Sequence, residues 1–123
     1  MASQNELVTI IGPSFDLTAI ANITTLTTSS LRFRVMSIAL EILTATTVTI
    51  LNTGSLGVTS SGYVDIAPAL ISGSGVVGTM NPLVLVANPA IVPASTAIVY
   101  RNSIGATASA LTGRIHMTGY YLL

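Results

Sequence analysis

The final segment of the chain, residues 111–123, alternates strictly between two kinds of position. One set is apolar or glycine: Leu111, Gly113, Ile115, Met117, Gly119, Tyr121 and Leu123. The other set is Thr112, Arg114, His116, Thr118 and Tyr120. Because successive side chains of a β-strand point to opposite faces, a spacing of two predicts a long half-buried strand. We expect the first set to face the core, with the two glycines allowing close backbone approach or a bulge.

Shorter extended segments precede this strand and are separated by Gly, Pro and Asn turn signals. Strands are predicted at residues 7–11, 15–23, 32–43, 47–52, 57–66, 82–86 and 96–102. A polar connector is expected at 24–30, a flexible loop at 72–78 and a turn at Asn88-Pro89, while 65–70 is either a short helical turn or an extended link. About eight strands without a convincing helix predict an all-β fold, an antiparallel β-sandwich or jelly roll. No linker divides the chain, so we expect one domain, with residues 1–30 as an N-terminal arm and first short strands and residues 31–123 as the jelly-roll body.

In the longest internal strand signal, residues 32–43, the apolar side chains switch from one face of the strand to the other. Phe33 and Val35 are at odd-numbered positions, whereas Met36, Ile38 and the alternate apolar residues after them are at even-numbered positions. A single strand reconciles the two sets only with a bulge near Met36 and Ser37, since a bulge adds one residue and restores the facing. The alternative is burial of both faces after Met36.

Charged side chains are scarce throughout the chain. There are four arginines, no lysine, four carboxylates and a net charge of zero, so 7% of residues are charged against an average of about 25%. This balance excludes a basic nucleic-acid-binding surface and intrinsic disorder. Seventeen threonines and thirteen serines supply the polarity instead. Because few charges remain to cover an apolar surface, the composition favours obligate assembly over an unusual soluble β domain.

The sequence gives little sign of a membrane segment or of a secretion signal. The longest apolar run, residues 35–51, contains Glu41 and several serines and threonines, whereas a spanning helix needs about 20 nearly uninterrupted apolar residues. Residues 1–6 lack the basic and apolar regions of a signal peptide. We therefore expect no transmembrane helix and no membrane partner.

Groups that carry chemistry are few and dispersed. His116 is the one histidine, the four carboxylates lie at least ten residues apart in sequence, and cysteine is absent. The glycine-rich segment 72–78 lacks the lysine of a phosphate-binding loop. A catalytic base also needs an orienting partner, and a metal needs a cluster of ligands. We expect a non-enzymatic protein without cofactor or metal.

Three segments carry a resemblance to a known family: Leu31-Arg32-Phe33-Arg34-Val35, Pro93-Ala94-Ser95-Thr96-Ala97-Ile98-Val99-Tyr100, and Leu111-Thr112-Gly113-Arg114-Ile115-His116-Met117-Thr118-Gly119-Tyr120. Over residues 31–123 the order of strands and turns resembles jelly-roll proteins on the virion surface of tailed bacteriophages, of the capsid decoration (cement) or head-fibre type. The resemblance implies a homotrimer, attachment to the major capsid protein of a tailed phage, a location on the capsid surface and no direct contact with nucleic acid.

The candidate capsid or subunit contacts are of two kinds: the apolar arm residues Leu7, Val8, Ile10 and Ile11, and the polar strand residues Arg32, Arg34, Arg114 and His116. The arm either adds a strand to the open sheet edge of a neighbour or forms the first strand of its own sheet.

The alternative function is a carbohydrate- or receptor-binding jelly-roll module of a phage fibre or lectin. An exposed aromatic platform for it would come from Tyr63 beside Asp65, or from Tyr100 beside Arg101 and Asn102.

Overall fold

The computed structural model describes residues 6–60, 62–86 and 90–122, and these residues form ten β-strands. The strands are β1 (Val8–Ile11), β2 (Phe15–Asp16), β3 (Ala21–Thr27), β4 (Arg32–Thr46), β5 (Thr53–Gly57), β6 (Ala67–Ile71), β7 (Met80–Leu83), β8 (Ala90–Val92), β9 (Ala97–Ile104) and β10 (Ala110–Leu122). All strand pairings are antiparallel, and the described residues contain no helix. Within those ranges, accordingly, no helix has the length and apolarity to cross a membrane.

The strands form two sheets that pack face to face. The first sheet has the order β1-β10-β4-β7, with β2 also pairing with β10 and β8 also pairing with β4. The second sheet has the order β3-β9-β5-β6. Each edge of the first sheet is divided into two short strands, so the ten strands occupy eight positions. Three connections stay within one sheet: β1 to β2, β5 to β6, and β7 to β8. Each of the others crosses from one sheet to the other, as in a jelly roll. The predicted sandwich is confirmed.

Strand β10 pairs with β4 along its whole length and forms the centre of the first sheet. Ile115 lies opposite Leu40, and Met117 lies opposite Ile38; all four side chains are buried. Burial alternates residue by residue from Leu111 onward, which confirms the facing that the spacing of two predicts. Tyr121 is half-buried and packs against the core, whereas Leu123 lies outside the described residues.

Two bulges in β4 keep its apolar residues on the core side. The register shifts once where Ser37 and Val35 pair with Thr118 and Gly119, which leaves Met36 as the extra residue. Met36 is 42% exposed, so the predicted bulge is confirmed and the alternative, burial of both faces, is wrong at this position.

The two glycines of β10, Gly113 and Gly119, lie at the two register shifts in the pairing of β10 with β4. A Cβ on Gly119 would overlap the carbonyl oxygen of Arg34, and one on Gly113 would lie 2.7 Å from the carbonyl oxygen of Glu41. The predicted close approach of backbones is therefore confirmed at both positions.

The core lies between the two sheets and is almost entirely aliphatic and aromatic. Its fully buried large side chains are Leu17, Phe33, Val35, Leu40, Ile42, Leu56, Val92, Ile98, Tyr100, Leu111, Ile115 and Met117. The phenyl ring of Phe15 packs against the Tyr100 ring at 5.1 Å between centroids. The side chains come from both sheets, so the sheets are held together mainly by burial of apolar surface.

A buried polar network lies at one end of this core. The amide nitrogen of Asn52 donates hydrogen bonds to the Tyr100 hydroxyl (3.0 Å) and to Oδ1 of Asn102 (2.9 Å). The amide nitrogen of Asn102 donates to the carbonyl oxygens of Leu17 (2.9 Å) and Ala19 (2.7 Å). These bonds satisfy buried polar groups that would otherwise be costly, and they tie the segments before β3 and β5 to β9.

Several predicted boundaries in the middle of the chain are wrong. Residues 47–52 form a loop instead of a strand, because Thr47 has a φ of 51° and only Ile50 makes an isolated bridge, to Thr107. The strand lies one segment later, in β5.

Residues 58–66 are also a loop, apart from Ser61, which lies outside the described residues. Oδ1 of Asp65 accepts hydrogen bonds from the backbone N–H groups of Val58 (3.0 Å) and Thr59 (3.2 Å), and this closes a turn where a strand was predicted. The next segment is extended as β6, so of the two alternatives for residues 65–70 the extended link is right.

The predicted second strand, residues 15–23, is divided between the two sheets. Asp16 Oδ1 accepts hydrogen bonds from the backbone N–H (2.8 Å) and the hydroxyl (2.7 Å) of Thr18, and this turn ends β2. Strand β3 then occupies part of the predicted connector. Strand β7 begins and ends earlier than the predicted segment 82–86, and residues 90–92 form an additional strand, β8. The turn predicted at Asn88-Pro89 lies outside the described residues.

Truncating the centre of β10 tests the role of this strand. We expect Ile115→Ala to lower the free energy of unfolding by about 2–5 kcal/mol, because the side chain is fully buried and its removal leaves a cavity. Thr112→Ala, on the outer side of the same strand, should cost less than about 1 kcal/mol. Denaturant unfolding of both variants measures the difference, and equal losses would contradict the assigned facing.

Burial raises the pKa of Tyr100 from 10.0 to about 12. A raised pKa means that the stability contributed by the neutral phenol is fully present below pH 10 and is lost as the pH rises towards 12. We expect the wild type to lose about 2–3 kcal/mol more than Tyr100→Phe across this window, since the phenylalanine has no proton to release. Denaturant unfolding at intervals between pH 8 and 12 measures both curves, and parallel curves would contradict the prediction.

Candidate assembly surface

The side chains of the first sheet that point away from the core form a broad surface of mixed aliphatic and polar residues, here called the outer face. The strand register aligns them in rows across the sheet: Thr9, Thr118 and Ser37; Ile11, His116, Ala39 and Pro82; Arg114, Glu41 and Met80; Tyr120, Arg34 and Ile91. Ile11, Met80 and Ile91 are each about half exposed, at 51%, 45% and 46%. Arg34, Glu41 and Arg114 therefore lie on the two central strands, and exposed aliphatic side chains lie along both edges. One edge also carries a carboxylate, the exposed Asp16 of β2, which lies opposite Thr112.

A cluster of three polar side chains lies at the centre of the outer face. Oε1 of Glu41 accepts a hydrogen bond from Nε of Arg114 (2.7 Å) and lies 2.6 Å from Nε2 of His116. A carboxylate only accepts hydrogen bonds, so Nε2 of His116 carries the proton in this contact. The two donors come from β10 and the acceptor comes from β4, so the cluster depends on the register of these two strands.

The surroundings of Glu41 hold the pKa of its carboxyl below the usual 4.5. The hydrogen bond from Arg114 makes the largest contribution and the one from His116 the next, against a smaller opposing effect of desolvation. Glu41 is thus ionised at neutral pH and compensates the charge of Arg114. The centre of the face carries its charges already paired.

Arg34 is placed differently from Arg114 on the same face. It lies between Tyr120 and Ile91, and its Nε is buried without a hydrogen-bond partner among the described residues. A buried donor without an acceptor is costly. Arg32, two residues earlier, is exposed.

The N-terminal apolar arm pairs with its own sheet. Residues Val8 to Ile11 form β1 and pair with β10 of the same chain, so of the two alternatives for the arm the structure has the first strand of its own sheet. Val8 and Ile10 pack against the core, whereas Ile11 points to the outer face beside His116. Leu7, just before the strand, is 56% exposed.

The structure thus brings some of the predicted contact residues together and separates others. Ile11, Arg114 and His116 lie side by side on the outer face, with Arg32 and Arg34 at the β4 start of the same face. Val8 and Ile10 point away from it, towards the core. Sequence reasoning missed Glu41 as the group that joins Arg114 to His116, since 73 residues separate the carboxylate from the arginine. The sequence showed only that Glu41, between the apolar Leu40 and Ile42, points to the outer side of its strand.

The two aromatic platforms proposed for a sugar are not open surfaces. Tyr100 is 2% exposed and belongs to the core. The carboxylate of Asp65, beside the half-buried Tyr63, is engaged by the backbone of Val58 and Thr59. Neither pair offers an aromatic ring with a free polar neighbour, which is what a sugar site requires.

No group of three or more His, Cys, Asp or Glu side chains in the described part of the chain is placed to hold a metal ion. A His–Glu pair occurs in acid–base sites, but here Arg114 shares the same carboxylate oxygen. The cluster can fix and neutralise charge on a sheet surface, which is what an assembly contact needs.

No protein-family model matches the chain, and no curated protein matches it at a significant level. Its fold defines it as a jelly-roll β-sandwich, and two solved structures share that fold. The first is a chain of the capsid asymmetric unit of cyanophage Pam1, with a TM-score of 0.63 and 18% sequence identity over 95% of this chain and 85% of that chain. The second is a chain of the acid-stable capsid of Helicobacter pylori bacteriophage KHP30, with a TM-score of 0.62 and 14% identity over 95% of this chain and 92% of that chain. At these identities the similarity is one of fold.

Neutralising Glu41 tests the energetic role of the cluster. Because its pKa is lowered in the folded protein, the stability it contributes is present above pH 4.5 and is lost as the pH falls through the lowered value. We expect Glu41→Gln to melt below the wild type at pH 7 and the two melting temperatures to converge in acid. Thermal unfolding between pH 7 and 3 measures this, and a difference that stays constant over the range would refute the assignment.

Proposed function

We propose that this chain is a non-enzymatic structural protein of a bacteriophage virion, a capsid decoration (cement) protein that binds and stabilises the major capsid protein lattice as a homotrimer on the capsid surface. The observation that carries the proposal is the fold shared with two phage capsid chains over 95% of this chain and at least 85% of each of theirs. The sequence resemblance of residues 31–123 to phage decoration proteins points the same way.

The surface chemistry supports an assembling protein. Fifteen large hydrophobic side chains of the described residues are exposed, and 7% of all residues are charged. Apolar surface on this scale is costly in water and is removed by contact with other proteins. A decoration protein makes many copies of one contact with a shell, so modest contacts sum to a strong effect on the lattice.

The outer face of the first sheet is the part of the surface suited to the shell. It is broad, its edges carry aliphatic side chains, and Glu41 and Arg114 are paired within the chain, so their attraction offsets part of the cost of desolvating them. The half-buried Arg34 and the exposed Arg32 are cations that a different protein can meet with carbonyl or carboxylate groups. This combination of apolar edges and cationic donors fits a partner surface on the major capsid protein that offers apolar patches and oxygen acceptors.

The direct experiment is co-sedimentation of the purified chain with shells assembled from the major capsid protein of the virus that encodes it. We expect saturable binding in threes and a higher shell melting temperature in scanning calorimetry. Saturation without any rise of the shell melting temperature would refute the cement role. An absence of binding would refute the decoration function.

A matched pair of arginine variants locates the contact. We expect Arg34→Ala to weaken shell binding at least about tenfold, since charge-assisted hydrogen bonds contribute about 1.5–3 kcal/mol. Arg101→Ala should leave binding unchanged, because Arg101 is also half-buried but lies on the second sheet. Titration of both variants against shells in the same co-sedimentation assay measures this. An equal loss in both would show that the contact does not involve the outer face.

A further inference from the structure

Four loops meet at one end of the sandwich and form a continuous surface, here called the loop end. The loop end consists of the connections from β2 to β3, from β4 to β5, from β6 to β7 and from β9 to β10: residues 17–20, 47–52, 72–79 and 105–109. Backbone hydrogen bonds join each loop to the next: Ala106 N–H to the Leu17 carbonyl (2.9 Å), Thr107 N–H to the Ile50 carbonyl (2.9 Å), and Ser72 N–H to the Asn52 carbonyl (3.0 Å). The loop end is therefore a preformed surface.

Exposed aliphatic side chains are concentrated on this surface and its border. Six of the seven most exposed large hydrophobic side chains of the described residues are there: Ile20 (73%), Ile71 (70%), Val76 (67%), Ile50 (59%), Val77 (58%) and Ile104 (57%). Ile71 and Ile104 end the strands β6 and β9, and both flank Thr53 in the register of the second sheet. The remaining member of the seven, Val84 (62%), follows β7 outside the loop end.

The four loops contain no charged residue. The charges of the chain are placed elsewhere, on the strands β2, β4, β9 and β10, in the loop before β6 and in the segment before β1: Asp16, Arg32, Arg34, Glu41, Arg101, Arg114, Asp65 and Glu6. One carboxylate borders the loop end, because the exposed Asp16 accepts hydrogen bonds from the backbone N–H and the hydroxyl of Thr18 in the first loop. The four loops themselves are without charge, and their polar groups are hydroxyls, amides and backbone.

The absence of charged residues from the four loops helps to decide whether this surface binds copies of the same chain or a different protein. Close to a three-fold axis each residue approaches its own copies, so a charge there meets like charges, which is destabilising. A contact with a different protein carries no such restriction and gains specificity from complementary charges. Aliphatic loops without charged residues are therefore suited to a position at such an axis, whereas the outer face with its arginines is suited to a different protein.

We propose that the loop end is the surface through which copies of this chain associate around the axis of the homotrimer. The inference deepens the proposed function and rests on it for the number of copies. The four loops hold 23 residues, and without the buried Leu17, Asn52 and Ala106 they offer 20. This number is at the lower limit of the roughly 20–30 residues that each partner contributes to an interface of standard size. The exposed aliphatic groups supply its apolar centre, and the serines and threonines of residues 72–79 and 105–109 supply a polar rim.

The test places one carboxylate on the loop end and one at a matched site outside it. Val76→Asp and Ile20→Asp each bring like charges together in the proposed interface, whereas Val84→Asp changes an equally exposed aliphatic side chain elsewhere. Sedimentation velocity at micromolar concentration gives the mass of each protein. We expect a trimer of the 12.6 kDa chain for the wild type and for Val84→Asp. The dissociation constant should rise at least about 100-fold for the two loop-end variants.

Exposed positions tolerate these changes, so the circular dichroism spectra of all variants below their melting transition should match that of the wild type and show that the subunits remain folded. The loop-end variants should melt at lower temperature, because they lose the stabilisation that association provides. Trimers that persist in both loop-end variants would overturn the inference. Loop-end variants that stay trimeric but no longer bind shells would also overturn it, because the surface would then belong to the shell contact. Binding of the wild type to phosphatidylcholine vesicles, lost in Val76→Asp, would assign the surface to lipid and overturn the inference as well.

The same measurements separate this inference from the proposed function. A wild type that binds shells as a monomer would overturn the inference and leave the decoration function standing. A wild type that forms trimers sensitive to Val76→Asp but binds no shell would support the inference and refute the decoration function.

Discussion

The long antiparallel pairing of β4 with β10 is the interaction on which most of the molecule depends. Its inward side chains, among them Ile38, Leu40, Ile115 and Met117, form one wall of the core. Its outward side chains bring Glu41 to Arg114 and His116. The two bulges preserve both arrangements, because each adds one residue to β4 and so keeps the apolar side chains on the core side and the polar ones on the outer side. One pair of strands thus determines the core and the chemistry of the outer face.

The scarcity of charge gives the two exposed surfaces different properties. On the outer face the central carboxylate is shared between an arginine and a histidine, so the face is neutral at its middle and cationic at the β4 start. The four loops of the loop end contain no charged residue, and the loop end with its border carries six of the seven most exposed large hydrophobic side chains of the described residues. Association of copies and attachment to a different protein place opposite demands on charge, and a chain with eight charged side chains meets both by segregating them.

The buried polar network supports the loop end from within the core. Asn52 lies in the loop before β5, and Asn102 donates to the carbonyl groups of the loop before β3. Together with the buried Tyr100, these amides hold two loops against β9. The close fit extends to Gly54, where a Cβ would overlap the Tyr100 hydroxyl. A rigid loop end loses little conformational entropy on association, which favours a stable contact.

The sequence by itself determined the all-β class and the facing of β10 from Leu111 to Gly119, because both rest on the alternation of side chains along a strand, a local property. It left two alternatives at Met36, and the structure has the bulge. It also determined that the protein would carry too few charges to cover an apolar surface. It misplaced the strands between residues 47 and 66, where threonine-rich and valine-rich segments suit a strand but a positive φ at Thr47 and the turn closed by Asp65 end the ladder. The joining of Glu41 to Arg114 and His116, and the meeting of four loops in one neutral surface, were decided only by the tertiary structure. Both depend on contacts between residues far apart in sequence, and local preferences carry no information about which distant strands become neighbours.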